Sequence, residues 1–600
     1  MSASDPRPDD GPLRHPDNGP HSRPDDGPLP RPDDGPLPRT VAEQFTRIEA
    51  AYGDHPALRS TQLAKEPGTG PERNESTATK REPGWLTFAE VAALADAALS
   101  RLAAMGAAPG DRIVLALPNS VILRLLDRAV LGSGLVRVAL SPRLHPREIA
   151  DIAADCDARV VCCRAEAEAD IRAALAAVGS AAHVAVCSDT TAPSDQANQA
   201  PPPGQTAAPF SPDSLASAAS GASATADPPP PPHAAWPPPA PSDIAMLMYS
   251  SGTTGRPKGV VVTHATWVAQ TARALRELPA IGPGDVVLAV APMSHFGGSI
   301  GLDCAVSGAA TVVMPHFDSL AVLEAVDAFG VTVLPLAPIM LDRLARAAEE
   351  PVPLPLPLPR SIRAIPYGGS PLGVASLERA QRVFPGILTQ FYGLAEALAP
   401  LTVLTPADHA SGDPARLGSA GRAAAGVALR LVDGEVVVRG DTVMAGYWNR
   451  PELTAAAFTD GWFRTGDLGD IDADGYVRLL GRSSEMIVTG GFNVYPAEVE
   501  RVVSTVDGIH EAAVLGMPHP VWGEGVNAAV VLDGGPATGT PGPEVLAGIA
   551  RACAASLAGY KKPVAVRAVP EIPRNAAGKV DRKALRRSLS DQPQKTHQPY

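Results

Sequence analysis

The densest run of side chains able to do chemistry is Tyr249–His264, YSSGTTGRPKGVVVTH. Ser250, Ser251, Gly252, Thr253, Thr254 and Gly255 place hydroxyls and flexible backbone in one turn. Glycines there let successive N–H groups converge on an anion, and the hydroxyls add donors. Arg256 and Lys258 then supply positive charge suited to a polyphosphate. The string is not a P-loop, because no Lys-Ser/Thr pair closes the G-x-x-x-x-G-K-[ST] pattern. A Ser/Thr/Gly-rich turn by itself is only a surface loop. Here the density of hydroxyls, the lysine at the end and the apolar strand Ile244–Met248 before it predict a phosphate cradle.

Such a loop needs a frame, and the flanking pattern is α/β. Residues 318–330 (DSLAVLEAVDAFG) begin with the cap residues Asp318 and Ser319 and end at Gly330, with Leu320, Leu323, Val326 and Phe329 at helical spacing. Val286–Ala291 before it and Val331–Leu336 after it read as continuously apolar strands. Strand, helix, strand with that composition predicts a buried, largely parallel sheet. From residue 484 onward, shorter strands (Ala512–Leu515, Ala528–Leu532) alternate with helices (Pro496–Val503, Glu544–Leu557), which predicts a separate small α/β domain.

Of 600 residues, 55 are Gly and 64 Pro, and nearly half of the prolines fall in 1–39, 193–241 and 351–359. Residues 7–38 repeat with a period of eight (RPDDGPLR, HPDNGPHS, RPDDGPLP, RPDDGPLP). A unit with three Pro/Gly positions and at most one leucine forms neither helix nor paired strand and buries too little to offset its ordering entropy. Residues 1–39 are therefore expected to be a disordered tail, 190–242 a disordered Pro/Ala/Ser-rich insertion, PVPLPLPLP at 351–359 a stiff connector, and 588–600 a second tail. The net charge of −13 excludes a general nucleic-acid binder. Six cysteines with no CxxC pair and no zinc spacing read as thiols in a reducing compartment. The N-terminus carries no apolar core of a signal peptide, and the most apolar run, Ser299–Met314, is too short to span a bilayer; a cytoplasmic protein with no transmembrane segment is expected.

YSSGTTGRPKG resembles the phosphate-binding signature of the adenylate-forming superfamily, which holds acyl-CoA synthetases, peptide-synthetase adenylation domains and firefly luciferase. GDRIVLALPN (110–119), SPRLHPREIADIAADCDARVV (141–161), YGGSPL (367–372), FYGLAEA (391–397), the 446–500 segment and PRNAAGKVDRKAL (573–585) resemble further motifs of that family in its order. The resemblance covers about residues 40–587. It implies a large N-terminal domain (40–483) of two α/β subdomains with a distorted barrel, and a small mobile C-terminal α/β lid (484–587) that rotates about Ser484.

The same resemblance implies the roles. Tyr392 and Gly393 with the Gly368–Gly369–Ser370 turn would hold adenine, and Asp467 and Arg482 the ribose. Glu396 would ligate the Mg²⁺ that bridges the ATP phosphates. Lys579 would swing in to stabilise charge during adenylation. His295 would flank the acyl pocket, with Gly297 and Gly298 leaving room for a bulky acyl or aryl group. Gly490, Gly491 and Phe492, with Asn493, would line a channel for the thiol. The implied activity is ATP-dependent activation of a carboxylic acid, fatty or aryl, as acyl-AMP and its transfer to coenzyme A. Loading of a separate carrier protein and a catalytically silent nucleotide-binding protein are the rival readings. The last is prompted by Ala395, which replaces the hydroxyl residue usual before the Mg²⁺ glutamate. Ser484 at the hinge and Asn575 in the lysine loop also depart from the family pattern.

Overall fold

A parallel strand flanked by helices on both faces must be apolar at every position, and Arg112–Ala116 shows why. In this computed structural model Ile113 and Leu115 point into one buried cluster with the helix Phe88–Ala104, while Val114 and Ala116 point into another with the helix Pro146–Asp155. The structure describes residues 38–61, 84–189, 209–219, 232–250, 257–349, 360–482, 485–489, 492–535, 537–575 and 578–590. The repeat at 7–38 up to residue 37, the 351–359 connector and residues 591–600 lie outside them; the tail expected from 588 is corrected at its start, because the helix Arg582–Ser590 continues through it and buries Leu589.

Arg112–Ala116 belongs to a seven-stranded sheet in the order Gly446–Tyr447, Lys258–Thr263, Ile244–Ser250, Val136–Ala139, Arg112–Ala116, Ala158–Arg164, His183–Cys187. From Ile244–Ser250 onward the pairing is parallel. The two strands at the opposite edge are antiparallel. A second sheet carries Val286–Ala289 beside Ala310–Val313, and a third carries Ile365–Gly368, Leu388–Tyr392, Thr402–Leu404 and Arg422–Ala423. The helix expected at 318–330 runs Ser319–Phe329, with the Asp318 side chain capping Ala321 N–H and Gly330 in the left-handed region at φ 60°. The strand expected at Val331–Leu336 is not a full strand. Val333 and Leu336 make isolated bridges that join the second sheet to the third, Val333 to both Val287 and Ala364.

Five antiparallel strands follow, among them Glu435–Arg439, Trp462–Ile471 and Val477–Arg482. The C-terminal domain has its own mixed sheet, in which Ile509–His519 and Gly523–Leu532 form a long hairpin. Helices Pro496–Val503 and Pro543–Ser556 close a separate core around Ile487, Val499, Val514, Val530 and Ile549. No described helix is long and apolar enough to cross a membrane.

One expectation is corrected. The 190–242 segment is not a featureless excursion where it is described. Phe210 bridges Cys187 at the edge of the seven-stranded sheet, with the Arg101 guanidinium 4.0 Å above its ring. The helix Pro212–Ala219 buries Leu215 completely, and His233 Nε2 lies 2.8 Å from Asp96. The composition hid this because the described part around 209–219 is anchored to the Phe88–Ala104 helix by one phenylalanine and one leucine. Leu215→Ala is therefore expected to cost about 2–5 kcal/mol in urea unfolding; an unchanged midpoint would mean the segment does not pack.

His264, the last residue of the phosphate-loop string, is fully buried and accepts the Val41 N–H at 3.4 Å, tying the first helix to the His264–Arg276 helix. Burial lowers its pKa from 6.5 to about 4. Below 6.5 the unfolded chain binds a proton that the folded chain refuses, so this histidine's contribution is full above 6.5 and falls as pH drops toward 4. The stability deficit of His264→Asn is expected to narrow over that interval, measured by denaturant melts; a deficit independent of pH would contradict the burial argument.

Candidate active site

The strand Ile244–Ser250 turns back on Lys258–Thr263 with Ser250 opposite Lys258, so the hairpin delivers the lysine to the mouth of the loop. Ser251, Gly252, Thr253, Thr254, Gly255 and Arg256 lie outside the described residues. The hairpin base is tied down by the Tyr249 hydroxyl, which donates to Asp155 at 2.7 Å, and Asp155 also pairs with Arg450 at 2.6 Å. Gly259 is required here: a Cβ would sit 3.1 Å from the Tyr249 ring and 3.2 Å from Trp448 Cβ.

The strand Gly446–Tyr447 pairs with Val260 and Val261 on the same hairpin. Its Tyr447 carries the link that sequence reasoning missed. Lys258 Nζ lies 5.0 Å from the Tyr447 ring centroid, and the Tyr447 hydroxyl donates to Glu396 Oε1 at 3.1 Å. One aromatic side chain thus spaces the loop lysine from the glutamate expected to ligate Mg²⁺. The signal was present in the sequence as a tyrosine in the GYW segment, but only the strand pairing places it between the two charges. Glu396 stands without a cluster of other acids: among the described residues no three His, Cys, Asp or Glu could hold a metal ion. A lone carboxylate suits Mg²⁺ that arrives on nucleotide phosphates and retains other ligands from them. Ala395 packs against the apolar cluster that contains Phe391 and Ala397.

The expected nucleotide residues converge on Asp467. It is buried on the strand Trp462–Ile471, directly opposite Arg482 in the antiparallel register. Arg482 Nε approaches Asp467 Oδ1 at 2.9 Å, and the Tyr392 hydroxyl donates to Oδ2 at 2.6 Å. Burial and the Asp467 charge push the Tyr392 hydroxyl well above its ordinary pKa, so it stays a donor. Burial pulls the Arg482 guanidinium down, but the Asp467 and Glu396 charges carry it above its ordinary value. Gly368 allows two strands to meet closely, since a Cβ would fall 2.3 Å from the Phe391 carbonyl oxygen. Gly369 then turns at φ +96°, with Ser370 half-buried after it. Gly393 is equally constrained, its Cβ position lying 2.6 Å from the Ala399 backbone.

Lys579 reaches this group from the C-terminal domain. Its side chain keeps access to solvent, yet its ammonium is partly desolvated, which lowers its pKa; Arg482 lowers it further, while Asp467, Glu396 and Glu485 raise it. Asn575, one of the family departures, holds the loop: its Oδ1 accepts the Lys579 N–H at 3.0 Å and its N–H donates to the Lys579 carbonyl at 2.8 Å. His295 precedes the helix Phe296–Ala305, with Nδ1 2.8 Å from the Ser294 hydroxyl. Burial first, then the charges of Lys579 and Arg137, lower its pKa to about 4, so it is neutral at physiological pH. The reading of Gly297 and Gly298 as room for a bulky acyl group is corrected. A Cβ at Gly298 would lie 2.0 Å from the Met293 carbonyl oxygen and one at Gly297 2.4 Å from Ala291 Cβ, so both are needed for the helix to pack on its own lead-in turn.

Phe492, the described residue of the expected thiol channel, does not join this arrangement. Phe492 is 55% exposed and stacks on Tyr560 with ring centroids 4.5 Å apart. Gly490, Gly491 and the hinge Ser484 lie outside the described residues.

The lysine of the hairpin, Glu396, the Asp467–Arg482 pair and Lys579 of the C-terminal domain are the residues the sequence resemblance singles out. Comparison with known proteins agrees. Residues 69–448 match the AMP-binding enzyme family and residues 498–579 its C-terminal domain, and the chain belongs to that family. It is similar to the long-chain-fatty-acid–CoA ligase FadD13 of Mycobacterium tuberculosis, 33% identical over 84% of this chain and 93% of that one. It is also similar to a sulfoacetate–CoA ligase of Cupriavidus necator, 32% identical over 83% and 92%. Among solved structures, ATP-bound MatB from Rhodopseudomonas palustris matches with a TM-score of 0.72 at 28% identity, over 92% of this chain and 99% of that one.

Tyr447→Phe removes only the hydroxyl on Glu396. A hydrogen bond to a charged group is worth roughly 1.5–3 kcal/mol. If Tyr447 orients Glu396 for the nucleotide, kcat for pyrophosphate release is expected to fall about tenfold or more, with the melting temperature little changed. An unaltered kcat would leave Tyr447 as packing alone.

Proposed function

We propose that this chain is an AMP-forming carboxylate–CoA ligase working in two half-reactions. The observation that carries the proposal is the paired Asp467 and Arg482 of the large domain, whose charges, with that of Glu396, act on Lys579 of the C-terminal domain. Each of the curated relatives named above is a CoA ligase. In the first half-reaction a carboxylate oxygen of the acid attacks the α-phosphorus of ATP, and pyrophosphate leaves. Tyr392 and the Gly368–Ser370 turn hold the base and Asp467 with Arg482 the ribose. Lys258 and the 250–255 loop hold the phosphates, and Glu396 would hold the Mg²⁺ that neutralises their charge. Lys579 offers its ammonium to the negative charge that grows at the α-phosphate and the attacking carboxylate, an electrostatic contribution. His295, neutral at this pH, bounds the acid site without adding charge.

In the second half-reaction the CoA sulfur attacks the acyl carbonyl carbon, AMP leaves with the bonding pair, and the thiol proton passes to solvent. For this step the C-terminal domain rotates about the segment at Ser484, withdrawing Lys579 and bringing Gly490–Phe492 to the acid site. The exposure of Phe492 in the present arrangement is consistent with that assignment. A carrier-protein thiol in place of CoA is the second acceptor to be tested. A cytoplasmic setting fits six buried, free cysteines.

The primary test is acid-dependent pyrophosphate release over an acid panel, with and without CoA; AMP release that does not respond to CoA would overturn the acceptor assignment. Lys579→Ala is expected to slow adenylation by about 10²–10³, yet to spare thioester formation from pre-formed acyl-AMP in single turnover. An equal loss in both steps would contradict the rotation.

A further inference from the structure

Beneath the helix Phe296–Ala305 lies a buried polar layer that the two half-reactions do not use. Arg124, Asp127, Arg137, Gln270, Thr271 and Asp303 are each less than a tenth exposed. Its near end meets the acid site: Arg137 Nη2 donates to the Met293 carbonyl at 3.1 Å, and its charge acts on His295. Arg137 in turn pairs with Asp127 at 2.6 Å. At the far end both Asp303 oxygens are occupied, by Gln270 Nε2 at 2.8 Å and the Thr271 hydroxyl at 2.7 Å. Arg124 has no such match. Its Nη1 lies 3.8 Å from Asp127, and its Nε and Nη2, with Gln270 Oε1, have no hydrogen-bond partner among the described residues.

Arg124 Nη2 faces Gly301. That glycine is buried, yet beyond its own helix backbone a Cβ on it would meet only two atoms within 4 Å, Arg124 Nη2 at 3.3 Å and Val287 Cγ1 at 4.0 Å. Gly297 and Gly298 on the same helix leave no such space. Nε–H and Nη2–H of one guanidinium form the side-on fork that matches a carboxylate with two parallel hydrogen bonds. At ~1.5 Å rise per residue, Gly301 stands ~9 Å along the helix from His295.

Resting on the ligase reading above, we propose that the space beside Gly301 is the far end of the acid pocket and that Arg124 binds the second carboxylate of a dicarboxylic substrate. The favoured acids carry a second carboxylate several carbons from the reacting one. A plain alkyl tail would leave the fork buried and unmatched, and sites built to hydrogen-bond a substrate group discriminate strongly against analogues that lack it. Asp303, which burial pushes up to about 7, is only partly ionised near neutrality.

The test uses the full chain and acid-dependent pyrophosphate release, comparing the series from succinate to sebacate with monocarboxylates of matched length. The expected result is a preference for the best dicarboxylate of at least ~10²-fold in kcat/KM. Arg124→Met should reverse that preference, with turnover of the matched monocarboxylate retained. Should Arg124→Met fail to fold, Gly301→Ala serves: it favours the helix but crowds the fork, and should raise KM for the dicarboxylate alone. Equal or better turnover of monocarboxylates by the unmodified protein overturns this proposal and leaves the ligase reading standing. No release with either series, while ATP still binds, overturns both.

Discussion

The arrangement depends on keeping one buried carboxylate, Asp467, charged and shared. It sits mid-strand with Arg482 on the adjacent strand at 2.9 Å and the Tyr392 hydroxyl at 2.6 Å. Those partners come from two different sheets, since Tyr392 ends a strand that pairs with Ile365–Gly368 and Thr402–Leu404. A carboxylate buried this deeply is stable only when its lone pairs are matched. The match therefore fixes how the third sheet meets the antiparallel wall, and with it the distance from the Gly368–Ser370 turn to Asp467. Both members of the pair also act on Lys579 of the C-terminal domain, Arg482 loosening its proton and Asp467 retaining it.

Much of this was legible in the sequence, and the pattern of what was missed has a physical logic. Local signals held where one residue type does one job: Asp318 and Gly330 bound a helix because one caps it and the other takes a left-handed turn. The strand expected at Val331–Leu336 is equally apolar, but it serves as a seam joining two sheets through single bridges at Val333 and Leu336. Composition cannot distinguish a strand from a seam. It failed more plainly at Phe210 and Leu215, where low average hydrophobicity concealed two well-placed anchors. For the site, motif residues such as Lys258, Glu396 and Asp467 were found, whereas Tyr447 was not, because its role is set by which strand pairs with the loop hairpin. Gly297 and Gly298 were found and misread: glycine signals both open space and close contact, and only the neighbouring Ala291 and Met293 decide between them.

The same domain carries two ways of burying charge. At Asp467 both carboxylate oxygens have a partner, Arg482 Nε and the Tyr392 hydroxyl. In the layer under the Phe296–Ala305 helix, two arginines and two aspartates balance in number, yet Arg124 keeps two donors unmatched. Removing one partner of a buried polar group costs more than the bond itself is worth, so a group that supplied the missing acceptors at Arg124 would gain more than one bonding to an exposed arginine.

Lys579 joins these themes through linkage. In the ligand-free protein its proton is loosened by desolvation and by Arg482, and retained by Asp467, Glu396 and Glu485. ATP brings several negative charges to the same place, so nucleotide binding must tighten the proton on Lys579, and a protonated Lys579 must by the same amount tighten nucleotide. Once pyrophosphate leaves, most of that charge goes with it, and the balance tips back toward desolvation and repulsion by Arg482. On the proposed two-step reading, chemistry in the first half-reaction would then weaken the hold of the large domain on Lys579, and the charge whose loss frees the C-terminal domain would be the one Lys579 stabilises.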